Sequence, residues 1–175
     1  MNKILLLEDR PDRMRQMLNN GDIMPDNVDI ISDMEEIGSF LEEMEIRITD
    51  YEIIIVHRSA LTQHADNGFY NTLVAECREI DKPLVVFTGG IGQSIYSNDG
   101  PILLMNSKNF YSANLIPFVN LANDGKRPSL LYLVSGEIWE LSELMLDRHN
   151  STYNEQPSSN FEKISSKINL KIEEL

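Results

Sequence analysis

Glu8, Asp9, His57, Thr88 and Lys108 form a set of side chains with shared chemical potential. Two adjacent carboxylates, an imidazole, a hydroxyl and an amine can hold a cation, hold an anion or exchange protons. An imidazole beside carboxylates suits transition metals, which accept nitrogen and oxygen ligands together. The same carboxylates also favour a protonated imidazole, which then serves as a fixed cation among them. Each of these residues stands just past an apolar run: "KILLL" (3–7), "EIIIV" (52–56), "PLVVF" (83–87) and "PILLM" (101–105).

Such runs, short and continuously apolar, are expected of strands buried on both faces of a sheet. A weaker one, "VDIIS" (28–32), makes a fifth. Between them lie helical patterns. One spans about Asp12 to Asn19. A second follows a cap at Ser32 or Asp33 and carries Ile37, Phe40, Leu41 and Met44 at helical spacing. Two more cover 69–80 and 112–122, the latter despite Pro117. This alternation predicts an α/β fold with a five-stranded parallel sheet, covered on both faces and joined by right-handed crossovers. The carboxyl ends of such strands converge on one crevice, where open α/β sheets bind their ligands. The set is thus far apart in sequence and predicted to be close in space.

In that order and spacing the chain resembles the receiver domain of bacterial two-component response regulators, over roughly residues 2 to 123. The resemblance implies flavodoxin-like topology with strand order 2-1-3-4-5. "ILLLEDRPD" places Glu8 and Asp9 at the magnesium-binding carboxylates, and "PLVVFTGG" places Thr88 at the hydroxyl that meets the phosphoryl group. "SKNF" resembles the receiver's Lys-Pro-Phe motif and makes Lys108 the matching lysine. His57 then stands where the phosphoacceptor aspartate belongs.

Three departures follow. An acyl phosphate needs an aspartate, and "YEIIIVHRSAL" supplies none; Arg58 adds positive charge instead. Met105 stands at the aromatic switch position, three residues before Lys108. Only "GGIGQSIYSND" separates Thr88 from Gly100, a stretch too short and glycine-rich for the receiver's fourth helix and its loops. Scaffold kept and phosphorylation chemistry lost: the resemblance is to a pseudo-receiver.

Four readings of His57 stay open. It can complete a divalent-metal site with Glu8 and Asp9, carry a phosphoryl group, titrate against a carboxylate, or neutralise the acids in place of magnesium or another divalent cation. Glu8 and Asp9 can equally cap the first helix, where negative charge is favourable. Lys108 reads better as a counter-ion for these acids than as a catalytic group. "TGGIGQS" lacks the Lys-Ser/Thr ending of a phosphate loop.

The remaining chain divides into a helical extension (124–149) with the only tryptophan, Trp139, a polar linker (150–160) and an amphipathic C-terminal helix (161–175). A short strand can precede the helix of the extension. Phe161, Ile164, Ile168, Ile172 and Leu175 draw an apolar stripe along the last helix, and Leu141, Leu144 and Met145 another on the extension. Either stripe can pack on its own domain or join two copies.

With 175 residues, 42% of them hydrophobic, the chain can build a substantial core. Its net charge of −13 repels phosphate backbones and speaks against direct nucleic-acid binding. The single cysteine, Cys77, fits a reducing cytoplasm, and no apolar run approaches the roughly 20 residues of a membrane span. The expectation is a cytoplasmic, non-enzymatic signalling module acting through protein contacts, with a metal-dependent or phosphotransfer activity at Glu8, Asp9 and His57 as the alternative.

Overall fold

The structure is a computed structural model, described over residues 3–18, 24–62, 68–97, 100–111, 114–124 and 129–143. Among the described residues six strands form one sheet: β1 (Ile4–Leu7), β2 (Val28–Ile31), β3 (Ile53–His57), β4 (Leu84–Thr88), β5 (Ile95–Tyr96) and β6 (Ile102–Asn106), ordered β2-β1-β3-β4-β6-β5. All neighbours pair in parallel except β5 with β6. The sheet is therefore mostly parallel, but it has six strands where the sequence reading gave five. The extra strand lies in the glycine-rich stretch after Thr88, the one judged too short for a helix. β5 itself carries the chain back along β6 (Ile95 opposite Leu104), so this crossover needs no helix.

The helices are α1 (Pro11–Leu18), α2 (Met34–Glu42), α3 (Met44–Arg47), α4 (Arg58–Thr62), α5 (Gly68–Glu79), α6 (Ser107–Phe110), α7 (Leu115–Asn123) and α8 (Tyr132–Ser135). Asp33 caps α2, accepting hydrogen bonds from the backbone N–H groups of Glu35 and Glu36. Pro117 falls in the first turn of α7, where an N–H has no helical acceptor to lose.

Period-two alternation divides the strand residues between two cores. Leu5, Leu7, Ile54, Val56, Leu84 and Val86 pack against α2, α4 and α5. Ile4, Leu6, Ile55, Val85, Phe87 and Met105 pack on the opposite face with α6, α7 and α8. Two covered faces explain why the strands read as unbroken apolar runs. Met105 is wholly buried and offers no side chain to the surface.

The described part of the extension is helical. No strand forms among the described residues 129–143; α8 gives way at Gly136 (φ +58°) to a 3-10 turn and a further helical stretch at 139–143. Leu130, Tyr132 and Leu133 are buried in the second core. Leu144, Met145, His64, His149, the linker and the C-terminal segment lie outside the described residues. No helix among the described residues is long and apolar enough to cross a membrane.

Candidate functional site

The pocket is built by strand register. Leu7 of β1 lies opposite Val56 of β3, so the next step brings Glu8 alongside His57, and His57 lies opposite Phe87 of β4. Alternation sends these three side chains to the same face of the sheet, the one covered by α6 and α7. The carboxylate of Glu8 is wholly buried and His57 is 4% exposed.

His57 Nδ1 is the hub. It stands 2.5 Å from Asp9 Oδ1 and 3.2 Å from Glu8 Oε1. Ser59 Oγ lies 2.7 Å from both Asp9 oxygens and 2.7 Å from the same imidazole nitrogen. The backbone N–H of Arg10 donates to Glu8 Oε1 at 2.8 Å, and the Tyr111 hydroxyl donates to Glu8 Oε2. Behind the imidazole, Phe87 stacks at 4.9 Å and Phe110 stacks on Phe87 at 4.0 Å.

Electrostatics follow from that geometry. Burial lowers the pKa of His57, but hydrogen bonds to Asp9 and Glu8 and their charges more than reverse it, to about 9. The imidazole is therefore protonated at neutral pH. Burial raises the pKa of Asp9, yet the His57 and Ser59 hydrogen bonds and the imidazolium charge hold it below the usual value. Burial, then the hydrogen bond and charge of Glu8, push the Tyr111 phenol well above its ordinary value.

The expected set does not converge as a whole. Glu8, Asp9 and His57 meet; Thr88 and Lys108 do not join them. Thr88 follows Phe87, so alternation turns it to the opposite face, where its Oγ1 accepts from the Gly90 N–H at 3.4 Å. Lys108 is exposed on α6 and forms no salt bridge among the described residues; only its backbone N–H is engaged, with Asn106 Oδ1 at 2.9 Å. The counter-ion of the acids is His57. Arg58 also leaves the pocket, its guanidinium lying 5.1 Å over the Tyr70 ring. Ser59 and Tyr111 were missed by the sequence reading. The signal for each was adjacency: Ser59 stands two residues past His57, and Tyr111 directly follows the "SKNF" motif.

Two chemistries can be judged from this geometry. A Ser-His-Asp relay uses both ring nitrogens, one for the nucleophile and one for the acid. Here Ser59 and Asp9 meet the same nitrogen, so Ser59 directs its proton to Asp9 and no relay exists. A resident divalent cation also fits poorly. Donor atoms of Glu8, Asp9 and His57 lie within 4.8 Å of one another. Yet all four carboxylate oxygens already accept hydrogen bonds, and the imidazolium N–H occupies their centre. A metal would have to displace a cation the fold already supplies.

No family model, curated protein or solved structure matches this chain.

Proposed function

We propose that this chain is a phosphorylation-independent, receiver-like regulatory module whose output is protein contact rather than catalysis. The sheet order supports flavodoxin-like topology once β5 is set aside, since the five parallel strands run β2-β1-β3-β4-β6. One observation carries the reading: His57, which the receiver resemblance aligns with the acceptor, is bonded inward to both acids. The position thus lacks a carboxylate nucleophile and has its own positive charge where a receiver binds its metal. This arrangement holds the strand ends in one state without a ligand.

Contact surfaces remain elsewhere. Ile95 on β5 is 53% exposed, and Val134 and Ile138 of the extension are 47% and 52% exposed. The segment around β5 is one interaction surface and the extension the other, with a second copy of the chain as the simplest partner.

Intact-mass measurement after incubation with acetyl phosphate and Mg²⁺ tests the reading. Wild type should gain no phosphoryl group, and His57→Asp should gain one. Phosphoryl transfer to wild type that is lost in His57→Ala would establish the enzymatic alternative instead.

A further inference from the structure

Among the described residues the sheet ends on one side at β2, which pairs there only with β1. Asn27 and Ile31 turn their carbonyls inward, accepting from the N–H groups of Ile4 and Glu8. By alternation, the N–H and C=O of Ile30 face away from the sheet. A groove of about 800 Å³ runs along this edge between β2 and α2. An open strand edge is a template for another strand.

The two sides of this edge differ. On the α2 side stand four carboxylates, Asp29, Asp33, Glu35 and Glu36. The groove's arginine, Arg47, lies 5.1 Å from the Phe40 ring centre and meets Tyr51, as Asp29 does, and Lys3 pairs with Asp29 at 3.7 Å; Asp33, Glu35 and Glu36 form no salt bridge among the described residues. On the other side, Val28 and Ile30 are partly buried apolar residues against the second core. A strand added here needs cations on one face and apolar side chains on the other.

The chain contains such a segment. "KISSKINLKI" (163–172) has three lysines and no acid, in a protein of net charge −13. Read at period two, Lys163, Lys167 and Lys171 share one face with Ser165 and Asn169. Ile164, Ile168, Leu170 and Ile172 share the other with Ser166. The helical stripe leaves Leu170 on its polar side; the strand pattern places it among the isoleucines.

We propose that Lys163–Ile172 adds to the β2 edge as a strand, its lysines over the carboxylates of α2 and its isoleucines beside Val28 and Ile30. Nineteen residues separate Glu143 from Lys163 and span up to about 65 Å. A body of this size has a radius of gyration of roughly 15 Å, so the tether reaches any face. Tethering also gives the segment a high effective concentration at the groove. The strap closes the open edge and occupies a surface that a basic strand of another protein would otherwise use.

Amide exchange at Ile30, followed by NMR in the full chain, tests this. Its N–H should exchange slowly in wild type. The rate should rise about tenfold or more in the Lys163→Glu/Lys167→Glu/Lys171→Glu variant and in Ile168→Pro, while Ile54 in the sheet centre stays protected. Both variants change only residues 163–171, and continued protection of Ile54 reports that the sheet stays folded in each. Equal Ile30 exchange in wild type and both variants overturns the proposal. Protection that grows with protein concentration also overturns it, by making the occupant a second copy. So does protection that appears only when a lysine-rich peptide is added, which assigns the groove to a partner.

Discussion

The imidazole of His57 stacks on the ring of Phe87 at 4.9 Å with an interplanar angle of 22°. Its face rests on an aromatic wall while its edge meets two carboxylates. A cation over an aromatic face is attracted by the ring quadrupole, so both contacts favour the same protonation state. The pocket is organised around a positive charge that the chain carries itself.

His57→Gln keeps much of the shape and removes the charge. Breaking one partner of a buried ion pair leaves the other uncompensated, at about 3 kcal/mol or more. Urea denaturation at pH 7 should show a loss of that order. A loss near zero would mean that the acids find hydration or other donors on their own.

The same pair sets a pH dependence. The folded pKa of His57, about 9, lies above its unfolded 6.5, so its contribution is complete below 6.5 and lost as pH rises through 9. Asp9 is held below 3.8, so its contribution is complete above that value and lost as pH falls through its folded pKa. Denaturation midpoints across pH should decline at both ends for wild type. The part of the alkaline decline between pH 6.5 and about 9 should vanish in His57→Gln, leaving the decline above it to the buried Cys77 and Tyr111.

Tyr111→Phe removes the hydroxyl that donates to the buried Glu8 carboxylate. The expected cost is about 1–3 kcal/mol, read in the same urea experiment. Tyr70→Phe is the control, because its ring rather than its hydroxyl meets Arg58 and stability should change little.

Gly136→Ala tests the turn that ends α8. Its φ of +58° disfavours a side chain, and an added Cβ would stand 3.1 Å from Asn114 Oδ1. Strain of this kind costs about 1–3 kcal/mol, visible as a fall in Tm of several degrees.

Cys77 is wholly buried, and burial pushes its thiol up to about 12. Thiol-reactive reagents should label the native protein negligibly at pH 8 and label the urea-unfolded chain at once.

Much of the architecture was legible because two covered faces leave a plain imprint. Runs such as "EIIIV" and "PLVVF" have no polar side to mislead the reading. β5 escaped because two residues carry no period, and α3 because it continues the apolar pattern of α2 after a break at Glu43. The meeting of Glu8, Asp9 and His57 followed from strand ends alone. A strand-end position does not fix side-chain direction: one step along β4 turns Thr88 to the other face from Phe87, and Lys108 is exposed on α6. Ser59 and Tyr111 stand close in sequence to His57 and the "SKNF" motif, but only the geometry around α4 and α6 brings their hydroxyls to the acids.

Calorimetric titration of the full chain with Mg²⁺, Mn²⁺ and Zn²⁺, with and without beryllofluoride and beside His57→Asp, tests the central claim most directly. If His57 stands in for the cation, wild type binds neither metal nor phosphoryl mimic, and His57→Asp binds both. Tight metal binding by wild type that disappears in His57→Ala would contradict the account and make the pocket a metal centre.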